Sequence, residues 1–361
     1  MNTKQDILAI LEAHQGESVS GEQIARELHI TRSAVWKGVR ALKEEGCPIT
    51  AGTNRGYLLA ADSDIFSPGS VTTRLHGSAA RLQVEIRPEV TSTNTVLKEE
   101  ARLGAPDGKV LIALRQSAGK GRMGRSFYSP QDTGLYMSLL LRPKLTLAHS
   151  TLLTTVAAVA VAQAVDDVLG IAPPKPEPKS ESFGTDSPQM EHSGQAAIKW
   201  VNDVYFHGKK ICGILTEAAA DFESGTLEYA VVGIGINLTD PTDGFPEEIR
   251  HVAGSLYGRQ PAPKGIRPAL AAAVLNYFMR YYERLPETAF LTEYRRRSFL
   301  LGQDIYVLGG LLPDGSHQSA PRLAHADRID EQLRLVVTYQ DGTTEALSSG
   351  EVSTRLVSQK L

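Results

Sequence analysis

The first sixty residues constrain the fold of this chain most, because three helical patterns there give way to a glycine-rich hairpin while the charge changes sign. Ile7, Leu8 and Leu11 recur at helical spacing, and Ser20-Gly21-Glu22-Gln23 has the form of a capping box opening a short helix through Leu28. Thr31 then stands as the N-cap of a third helix. In that helix Val35, Val39 and Leu42 form an apolar stripe, which leaves Arg32, Ser33, Trp36, Lys37, Arg40 and Lys43 on the other faces. The helix stops at Gly46, and from Pro48 to Leu59 two short strands flank Gly52-Thr53-Asn54-Arg55-Gly56, with an arginine near the tip. Residues 1–29 carry Lys4 and Arg26 against five acids, whereas residues 30–60 carry Arg32, Lys37, Arg40, Lys43 and Arg55 against Glu44 and Glu45. Positive charge is thus gathered on the third helix and the hairpin. The pattern predicts a helix-turn-helix with a wing over residues 1–62.

At 361 residues the chain is long for one domain, and 42% apolar with 22% charged residues is the balance of a chain that buries cores. Asp62-Ser63-Asp64 and Ser67-Pro68-Gly69 read as a linker. A mixed α+β domain is expected over 70–300. Its strands fall at 82–87, 109–115, Leu135 to Leu141, Ile198 to Val201, Lys210 to Glu217 and Tyr229 to Leu238; its helices fall at Ser92 to Leu103, 150–169 and Arg267 to Leu285. Within it, residues 171–197 hold five prolines among Ser, Glu and Lys, the composition of an insertion without structure of its own. Strands at Asp304 to Leu308, Leu333 to Tyr339 and Thr344 to Leu347 predict a small all-β module over 301–361.

Several classes are disfavoured. The longest apolar run, Leu152 to Val165, is interrupted by Thr154, Thr155 and Gln163 and falls short of the roughly 18–20 residues of a membrane span. The N-terminus has no basic flank and apolar core, so a cytoplasmic location is expected. Cys47 and Cys212 lie far apart without ligand-like neighbours, which suggests neither a disulfide framework nor a zinc site. A net charge of −3 means that any nucleic-acid function must come from a local patch.

Three motifs carry chemistry. Gly119-Lys120-Gly121-Arg122-Met123-Gly124 matches G-x-G-x-x-G, but the dinucleotide fingerprint opens a helix and is followed by an acid for the ribose. Here Arg125-Ser126-Phe127-Tyr128-Ser129-Pro130 and a strand follow, with no such acid; nor is there an H-R-D or D-F-G triplet for a kinase. What remains is a flexible loop with Lys120, Arg122 and Arg125 within six residues, which suits a phosphate or is a solvated basic turn. In Lys199-Trp200-Val201-Asn202-Asp203 and Lys209-Lys210-Ile211-Cys212-Gly213-Ile214-Leu215-Thr216-Glu217, charged heads either converge on a cleft or Asn202-Asp203 is turn chemistry alone. In Val90-Thr91-Ser92-Thr93-Asn94, Ser92 or Thr93 either caps the next helix or binds a ligand.

Taken in order, the winged helix, T-S-T-N, Gln116 to Arg125, K-W-V-N-D, K-I-C-G-I-L-T-E and Gly233-Ile234-Gly235-Ile236-Asn237-Leu238 resemble the bifunctional biotin–protein ligase and biotin-operon repressor family over about residues 3–357. The resemblance implies a ligase domain of the class II aminoacyl-tRNA synthetase-like type and a C-terminal SH3-like barrel that includes Gly350-Glu351-Val352-Ser353. It implies that biotin and ATP, with Mg²⁺, give biotinyl-5′-adenylate, and that the biotinyl group passes to a lysine of a biotin carboxyl carrier protein. Lys210 and Arg122 are then the catalytic cations. Ser92, Thr93, Asn94, Gln116, Lys120 and Gly121, with Arg122 and Lys210, bind biotin, and Ile214, Leu215, Gly233 and Gly235 line its pocket. Arg125, Phe127, Asn202, Asp203 and Asn237 serve the adenylate or ATP, with Asp203 a candidate Mg²⁺ ligand and Phe127 a candidate for stacking on adenine. Arg32, Ser33, Lys37, Arg40 and Arg55 contact operator DNA in an adenylate-bound homodimer.

The chain departs from the family pattern at Lys120 (usually arginine), Met123, Val201 (proline in a W-P-N-D turn) and Phe127 (a position that can be tryptophan). Two alternatives share the scaffold: a biotin-sensing transcription factor without catalysis, and a lipoate-type acyl ligase. Charge directed at phosphate argues against the first, and the neutral polar set at 92–94 and 116 favours a ureido ring over a dithiolane.

Overall fold

The computed structural model describes residues 3–44, 47–52, 56–60, 66–172, 194–221, 223, 225–309, 320–348 and 352–356. The N-terminal unit consists of α1 (Thr3–Ala13), β1 (Ser18–Val19), α2 (Gly21–Glu27), α3 (Arg32–Glu44), β2 (Ile49–Gly52) and β3 (Gly56–Leu59). Ser20 caps α2 by accepting from Gln23 N at 3.0 Å, and Thr31 Oγ1 accepts from Ala34 N at 3.2 Å at the head of α3. Val35, Val39 and Leu42 are buried against Ile7, Leu11, Ile24 and Leu59. The wing is a three-stranded sheet in the order β1-β3-β2, in which β1 is a pairing the sequence reading lacked.

Residues 67–69, read as linker, instead start a helix. In α4 (Pro68–Thr72), Ser67 and Ser70 form a reciprocal capping box with Pro68 in the first turn. Ser67 Oγ also donates to Glu12 Oε1 at 2.6 Å, which joins α1 to α4; burial pushes the Glu12 carboxyl up to about 6 against that bond and the Arg74 charge.

The central unit continues with β4 (Gln83–Val90), α5 (Thr93–Arg102), β5 (Lys109–Gln116), β6 (Gly134–Leu141), α6 (Ser150–Val168), β7 (Ala197–Lys199), β8 (Asp203–Phe206), β9 (Lys209–Asp221), β10 (Thr226–Asn237), α7 (Ile266–Tyr282) and α8 (Leu291–Arg297). Its seven strands run in the order β4-β5-β6-β10-β9-β8-β7; β4 and β5 are parallel and the other pairs antiparallel. Strand alternation divides the core: Leu111, Leu140 and Val231 face α5, while their neighbours Val110, Ile112, Leu139 and Val232 face α6 and α7. α6 is long and apolar enough to cross a bilayer, yet 78% of its apolar window is buried here, as befits a core helix. Of the expected insertion, 173–193 lies outside the described residues, and the chain is already packed by Ala196 and Ala197, where β7 begins.

The last unit is a five-stranded antiparallel sheet of β11 (Asp304–Gly309), β12 (Arg322–Ile329), β13 (Leu335–Tyr339), β14 (Thr344–Leu347) and β15 (Val352–Leu356), in the order β14-β13-β12-β11-β15. β12 and β15 have no counterpart among the three strands expected from sequence. Trp200 Nε1 donates to Leu333 O at 2.9 Å, tying this unit to the turn before β8.

Candidate functional site

Where the ends of β4 and β5 meet the middle of β6, β10 and β9, the sheet forms a cleft of about 750 Å³. Register sets its floor. Ser138 on β6 opposes Gly233 on β10, which opposes Leu215 on β9; two residues on, Tyr136, Gly235 and Gly213 form the next row. A Cβ built at Gly235 would stand 2.5 Å from the Phe127 ring, and one at Gly213 would stand 3.3 Å from it, so the glycines let that ring lie on the sheet. Gly233 makes the same room for the Asn94 carboxamide.

One end of the cleft is a closed polar network. Ser92, Thr93 and Asn94 are almost wholly buried at the head of α5, and Ser92, although the N-cap residue, makes no side-chain capping bond. Capping therefore does not account for its hydroxyl. Gln116 Oε1 accepts from Thr93 N at 2.8 Å, and Gln116 Nε2 donates to Ser129 Oγ at 2.9 Å. Ser138 Oγ lies 2.6 Å from both Thr93 Oγ1 and Asn94 Oδ1. Asn94 Nδ2 donates to Leu215 O at 3.2 Å and to Glu217 Oε2 at 3.0 Å.

The other end is cationic. The glycine loop folds back through Gly121 N donating to Arg125 O and Phe127 N donating to Gly119 O, with Met123 at φ 54°. Lys120 and Arg125 are exposed, while Arg122 reaches inward and donates to Asn202 Oδ1 at 2.9 Å. Burial lowers the pKa of Arg122, with the nearby Asp203 carboxylate opposing the shift; a guanidinium keeps its charge regardless. Asn202 is fixed from behind, its Nδ2 donating to Ile214 O at 2.8 Å. The Trp200–Val201 peptide just before it is cis.

Lys210 reaches this end through a bulge. β8 and β9 pair Asp203 with Gly213 and Val204 with Cys212, but then Tyr205 with Lys210, one residue out of step. Without that extra residue Lys210 would oppose Phe206 and point to the other face of the sheet. With it, Lys210 Nζ sits 2.7 Å from Asp203 Oδ2 beneath the glycine loop.

All thirteen residues expected at the biotin and adenylate positions line this one cleft, so the loop at 119–124 and Lys210 do face a common hollow. Asn237 Nδ2 donates to Gly254 O at its rim, and Phe127 rests on the glycine floor, edge-on to Tyr136. Sequence reading missed Ser138, Ser129 and the 245–253 segment, whose Val252 O accepts from Lys210 N. Ser138 had a signal, as the polar residue in Gly134-Leu135-Tyr136-Met137-Ser138-Leu139-Leu140-Leu141; the 245–253 segment had none. Among the described residues no group of three or more His, Cys, Asp or Glu side chains could cage a metal.

The expected nucleic-acid face lies on α3. Arg32, Trp36 and Arg40 form one exposed row, and Ser33 and Lys37 the next, opposite the buried Val35, Val39 and Leu42. Arg40 pairs with Glu44 at 2.9 Å and lies over the Trp36 ring, and Arg32 stands 4.0 Å from Glu22. Exposed pairs of this kind are weak and yield readily to phosphate. Arg55 lies outside the described residues.

Comparison with known proteins agrees with this geometry. The biotin/lipoate A/B protein ligase family matches residues 87–237, and a helix-turn-helix domain family matches residues 3–58. The chain is similar to the bifunctional ligase/repressor BirA of Bacillus subtilis, 32% identical over 253 residues and 70% of each chain. It is 28% identical over 224 residues to BirA of Escherichia coli, covering 62% of this chain and 60% of that one. The biotin protein ligase of Aquifex aeolicus, solved in complex with biotin and ATP, superposes with a TM-score of 0.55 at 26% identity, covering 76% of this chain and 99% of that one. A site of this build, a helix-turn-helix ahead of it, and 32% identity across 70% of both chains lead to one conclusion: the chain belongs to the family of bifunctional biotin–protein ligases and repressors.

Proposed function

We propose that this protein activates biotin with ATP, transfers the biotinyl group to a lysine of a biotin carboxyl carrier protein, and represses transcription through its N-terminal winged helix. The observation that carries the enzymatic reading is the convergence of a neutral, hydrogen-bonded polar end and a cationic end in one cleft. In the first step a carboxylate oxygen of biotin attacks the α-phosphorus, an O–P bond forms, and pyrophosphate leaves. Two anions must be brought together, so Lys210 and Arg122 stabilise charge that grows on the phosphoryl oxygens. Asp203 orients Lys210, and Asn202 orients Arg122. Closure of the glycine loop keeps water from the mixed anhydride. In the second step the carrier lysine attacks the acyl carbon and AMP leaves.

Ser92, Thr93, Asn94 and Gln116 serve the ureido ring, with Lys120 and Gly121 covering the ligand from the loop, while Arg125, Phe127 and Asn237 serve the nucleotide. Mg²⁺ arriving with ATP would be held chiefly by the phosphates, whose charge it would neutralise, with Asp203, now 2.7 Å from Lys210 Nζ, the candidate protein ligand. Domains run over 1–62, 70–300 and 301–361, the last an SH3-like barrel that assists ATP and carrier binding. Arg32, Ser33, Lys37, Arg40 and Arg55 meet DNA, and an adenylate-bound homodimer presents two winged helices to an inverted repeat.

Pyrophosphate release with ATP and either biotin or lipoate tests the enzyme. Release with biotin alone is expected; release with lipoate alone identifies the lipoate-type ligase, and none with either leaves a ligand-sensing regulator. Removing residues 1–65 abolishes operator binding in a gel shift while pyrophosphate release persists, and a truncated chain that still shifts the operator refutes the DNA assignment.

A further inference from the structure

We infer that Glu217, held by Lys98, is a positioning residue that fixes the Asn94 carboxamide so that its oxygen, and not its nitrogen, is offered to the ligand. Two acceptors that cannot donate, the Leu215 carbonyl and the Glu217 carboxylate, meet the same end of that amide at 3.2 and 3.0 Å. That end must be the NH₂ group, and both of its hydrogens are consumed there. The opposite end, Oδ1, lies 2.6 Å from Ser138 Oγ, and of the two lone pairs of a carbonyl oxygen one is left for a ligand in the cleft that Asn94 lines.

Glu217 holds this arrangement only while an acceptor oxygen is kept facing the amide. Lys98, one helical turn after Asn94 on α5, secures it with Nζ 2.6 Å from Glu217 Oε1. Burial pushes the Glu217 carboxyl upward, but the bonds from Lys98 and Asn94, with the Lys120 charge nearby, bring it below its ordinary range. A ligand that donates N–H groups, as a cyclic urea does, is matched by the fixed acceptor; a dithiolane has no N–H to give.

This inference rests on the biotin reading of the cleft, and its test separates the two. In full-length protein, Glu217→Ala frees the amide to turn, and the KM for biotin should rise about tenfold, equivalent to one hydrogen bond of about 1.4 kcal/mol. The KM for ATP and kcat should stay within about twofold, a split that a general loss of structure would not produce. Glu217→Gln, which can still turn a carbonyl toward Asn94, should recover most of the biotin affinity. Wild-type protein should also discriminate biotin from biotin methylated on a ureido nitrogen more strongly than Glu217→Ala does. Should the wild type release no pyrophosphate with biotin, the ligase reading itself fails. Should it turn over biotin while Glu217→Ala binds biotin as tightly as wild type, or loses ATP and biotin in equal proportion, the positioning role is overturned. If Glu217→Ala does not fold, Glu217→Gln decides: a tenfold loss equal for biotin and its methylated form rejects the inference.

Discussion

The two ends of the cleft are built by opposite means. At the end formed by the head of α5, Ser138 and Gln116, the polar side chains of Thr93, Asn94 and Gln116 are bonded to protein before a ligand arrives. At the end formed by the glycine loop, Lys120 and Arg125 stand in solvent, and the hairpin is held by a few backbone bonds around a residue at positive φ. A rigid network discriminates because a wrong ligand leaves buried groups unpaired, whereas a pliable cationic loop adds charge only when it closes. On the proposed function, selection thus belongs to the first end and acceleration to the second.

The sharpest way to break that division is Lys210→Ala. It removes the cation beside Asp203 and leaves the carboxylate facing the reacting phosphate, so adenylate formation should fall about 10²–10³-fold. Pyrophosphate release in a single turnover measures the loss, while calorimetry should find biotin binding weakened less than about tenfold. Operator affinity measured without biotin or ATP should be unmoved, because Lys210 lies outside the N-terminal unit. Rate and biotin affinity falling together would show that the ends do not divide the labour. The converse change is Gly233→Ala: its Cβ would lie 2.8 Å from Asn94 Cγ, and backbone pinned between β6 and β9 cannot retreat. We expect the KM for biotin to rise about tenfold with kcat at saturation within about threefold, read from steady-state kinetics. An unchanged KM would make the selective end as pliable as the loop.

The same contrast governs how much could be read from sequence. Periodicity located α3, β5, β6, β10 and α6 because apolar alternation and helical stripes are local properties of the chain. The loop and the polar head of α5 were visible as residue types out of keeping with their surroundings. Features set by distant partners were less legible. The bulge that turns Lys210 into the cleft depends on the partner strand, since Lys209-Lys210-Ile211-Cys212 reads equally well in either register. The helix at Pro68–Thr72 was hidden because Ser-Pro-Gly also spells a turn, and packing against α1 decided between them. The segment at 245–253 lacks periodicity altogether and is placed by the backbone bond from Lys210 N to Val252 O and, just beyond it, by Asn237 Nδ2 donating to Gly254 O.

Ser138 carries the smallest expected effect and sharpens the comparison most finely. It is fully buried in an otherwise apolar strand, and its hydroxyl joins Thr93 to Asn94 at 2.6 Å from each. Ser138→Ala leaves the Asn94 oxygen without that buried partner, at a cost of about 1–2 kcal/mol in stability, measurable by denaturant unfolding. The amide is still held at its nitrogen by Leu215 and Glu217, so the lone pair facing the ligand is displaced rather than lost. The KM for biotin should therefore rise only about two- to fourfold, less than for Gly233→Ala, with the KM for ATP and kcat unaffected. If Ser138→Ala instead lowers kcat more than it raises the KM for biotin, the buried network reaches through the glycine floor to the phosphate end, and the two ends must be treated as one coupled site.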